Sequence, residues 1–106
     1  VDWDCCQVDA PGNENENLTK EYVCFVNRDT VAVNMGGWHV QDEVTHDYTF
    51  PAFTLAPGAR VRLRTGSGTD TTTDLYWGEG QAVWNNGGDT IYLYDGGWNL
   101  IDSYTY

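Results

Sequence analysis

The stretch Leu55-Ala56-Pro57-Gly58-Ala59-Arg60-Val61-Arg62-Leu63-Arg64-Thr65 joins a tight turn to a strand. Ala56-Pro57-Gly58 suits a type II turn, because proline sets φ at the first central position and glycine accepts the positive φ required at the second. Beyond the turn, charged and aliphatic residues alternate with a period of two. Val61 and Leu63 therefore face one way, and Arg60, Arg62 and Arg64 the other. Working outward, apolar and aromatic residues alternate with polar ones over further short runs at 3–8, 21–27, 31–33, 38–41, 47–50, 82–84, 90–94 and 100–104. Asn86-Gly87-Gly88-Asp89 and Asp95-Gly96-Gly97 interrupt the pattern as tight connections between antiparallel strands. No run carries helical periodicity. Short strands at this spacing within 106 residues predict an all-β fold, an antiparallel β-sandwich of two sheets forming one domain over residues 1–106. The longest irregular stretches, 9–20 and 66–74, are where a rigid scaffold would carry binding residues.

Charge narrows the function. Sixteen acidic against five basic side chains give a formal net charge of −11, which repels phosphate backbones and argues against nucleic acid as a partner. Five Trp, seven Tyr and three Phe supply apolar surface that a disordered acidic tail would lack. An acidic, Lys-poor surface also suits a protein working in concentrated salt, where screening shortens the reach of self-repulsion, so a halophilic setting and an ordinary acidic extracellular one are both expectations. No stretch resembles a transmembrane segment or a signal peptide. The chain does not begin with Met, and it reads as a processed product or as part of a longer protein.

Cys5, Cys6 and Cys24 allow one intramolecular bridge, Cys24 with Cys5 or with Cys6, closing a loop worth about 3 kcal/mol in the chain-entropy model. The alternative is three packed thiols. Zinc ligation would need His39 and His46 to complete a set whose spacing matches no familiar site.

Particular strings then matter more than periodicity. Asp9-Ala10-Pro11-Gly12 with Asn17-Leu18 and Glu21-Tyr22-Val23, Gly37-Trp38 followed by Asp42, and Tyr48-Thr49-Phe50-Pro51 come first. Leu55-Ala56-Pro57-Gly58, Thr65-Gly66-Ser67-Gly68-Thr69-Asp70, and Val83-Trp84-Asn85-Asn86 with Gly88-Asp89 follow in the same order. Together they resemble the lamin tail domain family in its prokaryotic branch, from about Asp9 to Tyr106. The resemblance implies an immunoglobulin-like sandwich with no enzymatic activity of its own, in a family often appended to secreted or surface-attached hydrolases and nucleases. Cys5, Cys6, Cys24, Trp3, Met35 and Trp98 depart from the family pattern.

Three sets of residues are candidate sites. Asp9, Asn13, Glu14, Glu16 and Asn17 gather oxygen ligands around a Pro-Gly turn, as a calcium site would, although such side chains also cap their own backbone. Arg60, Arg62 and Arg64 form a stripe suited either to an anion or to cross-strand pairing with the abundant carboxylates. Trp38, Phe50, Tyr22 and Trp84 read as core, whereas Tyr76, Trp77, Trp98, Tyr104 and Tyr106 read as less internal and suit carbohydrate or protein recognition. His39 and His46 lack a nucleophile motif nearby, His46 reads as exposed, and Asp42, Asp70 and Asp74 read as loop carboxylates without a paired acid-base partner identifiable from spacing. The expectation is a non-catalytic interaction or anchoring module of an extracellular or surface-attached protein, its partner a protein or surface polymer. The alternative is a calcium-stabilised spacer with no specific ligand.

Overall fold

A computed structural model of the chain describes residues 1, 3–8, 18–43, 46–80, 83–84 and 88–106. Among the described residues, nine strands follow a short 3-10 turn at Trp3–Cys5 and another at Leu18–Lys20. They are β1 (Tyr22–Val26), β2 (Val33–Asn34), β3 (His39–Gln41), β4 (Asp47–Thr49), β5 (Thr54–Leu55), β6 (Arg60–Arg64), β7 (Asp74–Tyr76), β8 (Thr90–Tyr94) and β9 (Leu100–Thr105). One sheet has the order β1-β6-β7, the other β4-β3-β8-β9, and β2-β5 forms a two-stranded ribbon.

The alternation read in β6 sets the core. Val61 and Leu63 point inward beside Val23 and Phe25 of β1 and Leu75 of β7, and they meet Val40, Tyr48, Ile91 and Leu93 of the opposite sheet. Phe50 fills the space between the layers, edge-on to Phe25 at 6.3 Å and to Tyr48 at 5.3 Å. Trp84 is also fully buried. The turn before β6 is of the expected type: the Ala59 N–H donates to the Ala56 carbonyl at 3.0 Å, and Gly58 has φ 74°.

Three features differ from the sequence reading. The expected strand at 3–8 is instead a 3-10 turn closed by the Cys6 N–H on the Trp3 carbonyl, and only Gln7 bridges to Tyr22. The chain curls there because the Trp3 ring is stacked between Tyr104 at 4.9 Å and Tyr106 at 4.8 Å. β5 and β7 lie where no strand was expected, and Val83 and Trp84 lie outside strands. β7 also runs parallel to β6, because the chain from 65 to 73 loops back along the strand before pairing, so one pair in the sandwich is not antiparallel.

Candidate functional site

The outer face of the four-stranded sheet presents a row of rings. Alternation turns Val40, Ile91 and Leu93 inward and leaves His39, Tyr92 and Tyr94 outward and half-buried. The β8–β9 hairpin adds a fourth ring. Its turn is closed by the Trp98 N–H on the Asp95 carbonyl at 3.1 Å and by the Asp95 N–H on the Asn99 carbonyl at 3.0 Å. This is a turn followed by a left-handed residue, a position that glycine ordinarily fills. Here Trp98 fills it, with φ 63°. For a bulky residue that backbone conformation is an outlier. Trp98 lies flat on His39, centroids 3.8 Å apart with 8° between planes, and its ring is 5.6 Å from Tyr94. Tyr94 in turn stacks on Tyr92 at 6.2 Å. With one ring face on His39, Trp98 is still 52% exposed. Leu100 pairs with Tyr94 across β8–β9 and, like Ile101 beside it, is exposed.

Polar pins hold the loops around this scaffold. Glu21 is fully buried, and its Oε1 accepts the Val83 N–H at 3.1 Å, the Trp84 N–H at 2.8 Å and the Thr65 hydroxyl at 3.1 Å. Asp42 is buried rather than a bare loop acid: its Oδ1 accepts the His46 N–H at 3.0 Å, and its Oδ2 lies 2.6 Å from His46 Nδ1. His46, expected in solvent, is accordingly half-buried and edge-on to Trp77. Asp70 also has a partner, since its Oδ1 accepts the Tyr76 N–H at 2.9 Å. Burial, then the charge of Asp70, pushes the Tyr48 hydroxyl up to about 12. Burial, then Asp89 and Glu21, pushes Tyr106 higher still. Both phenols therefore stay protonated at neutral pH.

The arginine stripe lies on the opposite side of the molecule, on the outer face of β6. Asp74, now part of β7, accepts the Nε–H of Arg62 and of Arg64 on the same Oδ1, each at 2.9 Å. Both guanidinium groups also sit over the Tyr22 ring, at 5.8 Å and 4.9 Å. Arg60 is exposed and, with Arg62, Thr72, Thr73, Ala56 and the Cys5–Cys24 bridge, lines a groove of about 610 Å³. Burial alone would raise the Asp74 pKa, but the Thr73 hydroxyl, Arg62 and Arg64 outweigh it and bring the group down to about 2. A carboxylate whose folded pKa lies below its unfolded value of 3.8 stabilises the fold above that value and loses the contribution as pH falls toward 2. With solvent around the arginines, the loss is expected to be about 1 to 2 kcal/mol. Urea unfolding at stepped pH checks it: Asp74→Asn should flatten the acid limb, and an unchanged limb would mean that the pairing contributes nothing.

Cys5 is bonded to Cys24, with Cα atoms 5.6 Å apart, and Cys6 keeps its thiol, whose sulfur accepts the Cys24 N–H at 3.1 Å. Cys24 lies on β1 and His39 on β3, in different sheets. The calcium candidates Asp9, Asn13, Glu14, Glu16 and Asn17 lie outside the described residues. Trp38 and Tyr22, expected in the core, are half-buried, and Tyr22 belongs to the arginine face. Of the rings expected at the surface, Trp98 is exposed, whereas Tyr104 and Tyr106 are held by Trp3. Sequence reasoning missed the Glu21 pin and the His39–Trp98 stack, although Trp98 in a hairpin turn already stood out.

A two-layer sandwich with its distinctive side chains on a sheet face and a turn is the architecture of an immunoglobulin-like recognition domain. The chain belongs to the Lamin Tail Domain family, whose model matches residues 6–106, a family of non-catalytic, immunoglobulin-like interaction domains. No curated protein matches it. Among the described residues no helix is long and apolar enough to cross a membrane.

Proposed function

We propose that this domain is a non-catalytic interaction and anchoring module of an extracytoplasmic or surface-attached protein, and that it grips its partner with the outer face of the four-stranded sheet. The observation that carries this reading is Trp98, a large ring held half-exposed in a backbone conformation that favours glycine. Backbone strain of this kind collects at binding sites. The Cys5–Cys24 bridge agrees with an oxidising compartment.

Trp98→Gly tests the reading. Glycine relieves the left-handed backbone by about 1 kcal/mol, and loss of the His39 stack costs about as much, so stability should change by less than about 1 kcal/mol. Capture of a specific partner from concentrated-salt extract by the wild-type domain should disappear with the variant. If the variant instead unfolds, the ring is a structural prop. If it captures the same partner equally well, the face is not the site. The spacer alternative rests on Asp9, Asn13, Glu14, Glu16 and Asn17 and makes a different forecast: no specific capture, and a melting temperature that drops when a chelator removes calcium.

A further inference from the structure

The two outer faces differ in charge. The segments 38–49 and 88–106, which contain the whole four-stranded sheet, carry six Asp and Glu and no Lys or Arg, although Asp42 and Asp89 are buried and Asp102 pairs with the Val1 ammonium. Three of the five basic residues stand on the other sheet, in β6. Two of the acids border the row of rings. Asp47 Oδ1 accepts the Gln41 amide at 3.3 Å and lies 3.5 Å from His39 Nδ1, on the ring that supports Trp98. Asp95 opens the hairpin turn, where the Asn99 backbone N–H, then its side-chain amide, then the Gly97 N–H hold its carboxyl below the usual range, so it is ionised at neutral pH.

Resting on the recognition reading above, we propose that this face docks a cationic protein segment, an arginine-bearing stretch of a partner whose guanidinium groups lie over Trp98 and Tyr94 and pair with Asp47 and Asp95. A guanidinium is attracted to a ring face within about 6 Å of its centroid, and it pairs with carboxylates through a planar fork of donors. The molecule already contains this chemistry once. On the opposite sheet Arg62 and Arg64 sit over Tyr22 and share Asp74, a ring and a carboxylate serving two guanidinium groups. The aromatic face of the four-stranded sheet offers rings and carboxylates with no arginine of its own sheet to answer them.

Other occupants fit less well. A polyanion meets the negative charges of Asp47 and Asp95 beside the rings. The stripe of a second copy has Arg62 and Arg64 already paired with Asp74. A neutral polysaccharide stacks on the rings and donates hydroxyls to the carboxylates, but it leaves their negative charge unneutralised.

The experiment is a titration of the isotopically labelled domain with a short peptide alternating Arg and Ser, and with its Gln-for-Arg counterpart. Nuclear magnetic resonance reads the Trp98 indole N–H and the amides of β8. The Arg peptide should shift these signals and weaken with added salt, and the Gln peptide should leave them in place. Trp98→Gly, which leaves the net charge at −11, should weaken binding about fivefold or more, and Asp47→Asn should weaken it further in combination. Equal binding of the Gln peptide, or undiminished binding by Trp98→Gly, would overturn the proposal. So would signals that move only with the domain's own concentration, or with a neutral polysaccharide alone. If the Arg peptide fails while extract capture still depends on Trp98, the cationic assignment falls and the recognition face stands. If both fail, so does the face.

Discussion

Glu21→Ala is expected to cost about 3 to 5 kcal/mol, enough to leave a domain of ordinary stability largely unfolded at room temperature. The carboxylate is fully buried, and one of its oxygens receives the Val83 N–H, the Trp84 N–H and the Thr65 hydroxyl. Removing it strands three donors where water does not reach, and each buried unsatisfied donor costs about 1 to 3 kcal/mol. Trp84, fully buried and seated through its own N–H on this carboxylate, would lose its anchor at the same time. Glu21→Gln keeps an oxygen of the same reach but without charge, so it should retain the fold and lose about 1 to 2 kcal/mol, the difference between a charge-assisted and a neutral set of bonds. Urea unfolding followed by Trp fluorescence measures both. A midpoint shift worth less than about 1 kcal/mol for Glu21→Ala would show that the loop carrying Val83 and Trp84 is held by other contacts.

Opening the Cys5–Cys24 bridge is expected to cost about 3 kcal/mol, the second large effect. The cysteines are 19 residues apart, and cross-linking a loop of that size removes about that much chain entropy from the unfolded state. The native state also gains from the tether, because the bridge holds the N-terminal turn that carries Trp3 against Tyr104 and Tyr106. Cys5→Ser should therefore lower the melting temperature by about 10 °C or more and expose Trp3 to a soluble quencher. Cys6→Ser is the control: a serine oxygen can accept the Cys24 N–H in place of the sulfur, and the loss should stay below about 1 kcal/mol. Equal losses for the two variants would mean that the connection between Cys5 and Cys24 does not carry the stability.

Where the pattern was long and regular, the fold was legible in the sequence. β6 and β8 each alternate over five residues, and both are strands at the expected places. The Pro57-Gly58 turn was equally readable because its two dihedral requirements name their residues. β5 lies between Pro51 and the Pro57-Gly58 turn and β7 adjoins the irregular stretch 66–74, so turn and loop residues masked both and they were missed. The turn at Trp3–Cys5 was misread because what bends it, the rings of Tyr104 and Tyr106, lies about 100 residues away in the chain. The same distance problem hid the pins. Glu21 meets Val83 and Trp84 more than 60 positions on, and Asp74 gained its role only once β7 lay beside β6. The arginine stripe was legible as one face, whereas its partner carboxylate was not. At the aromatic face, Trp98 was recognisable as an odd residue for a turn. Its support by His39 depends on the β3–β8 pairing, which no local string encodes.

The strand order also bears on how the chain reaches its native state. β3–β4 and β8–β9 are hairpins whose partners are close in sequence, whereas among the described residues β1 pairs with Gln7 and, across residues 27–59, with β6. Loop-closure entropy rises with that separation, so the hairpins are the early events and the meeting of β1 with β6 the late one. During synthesis Val23 and Phe25 consequently emerge well before the strand that covers them, and for that interval this short apolar segment is the part of the nascent chain most open to chaperones and to aggregation.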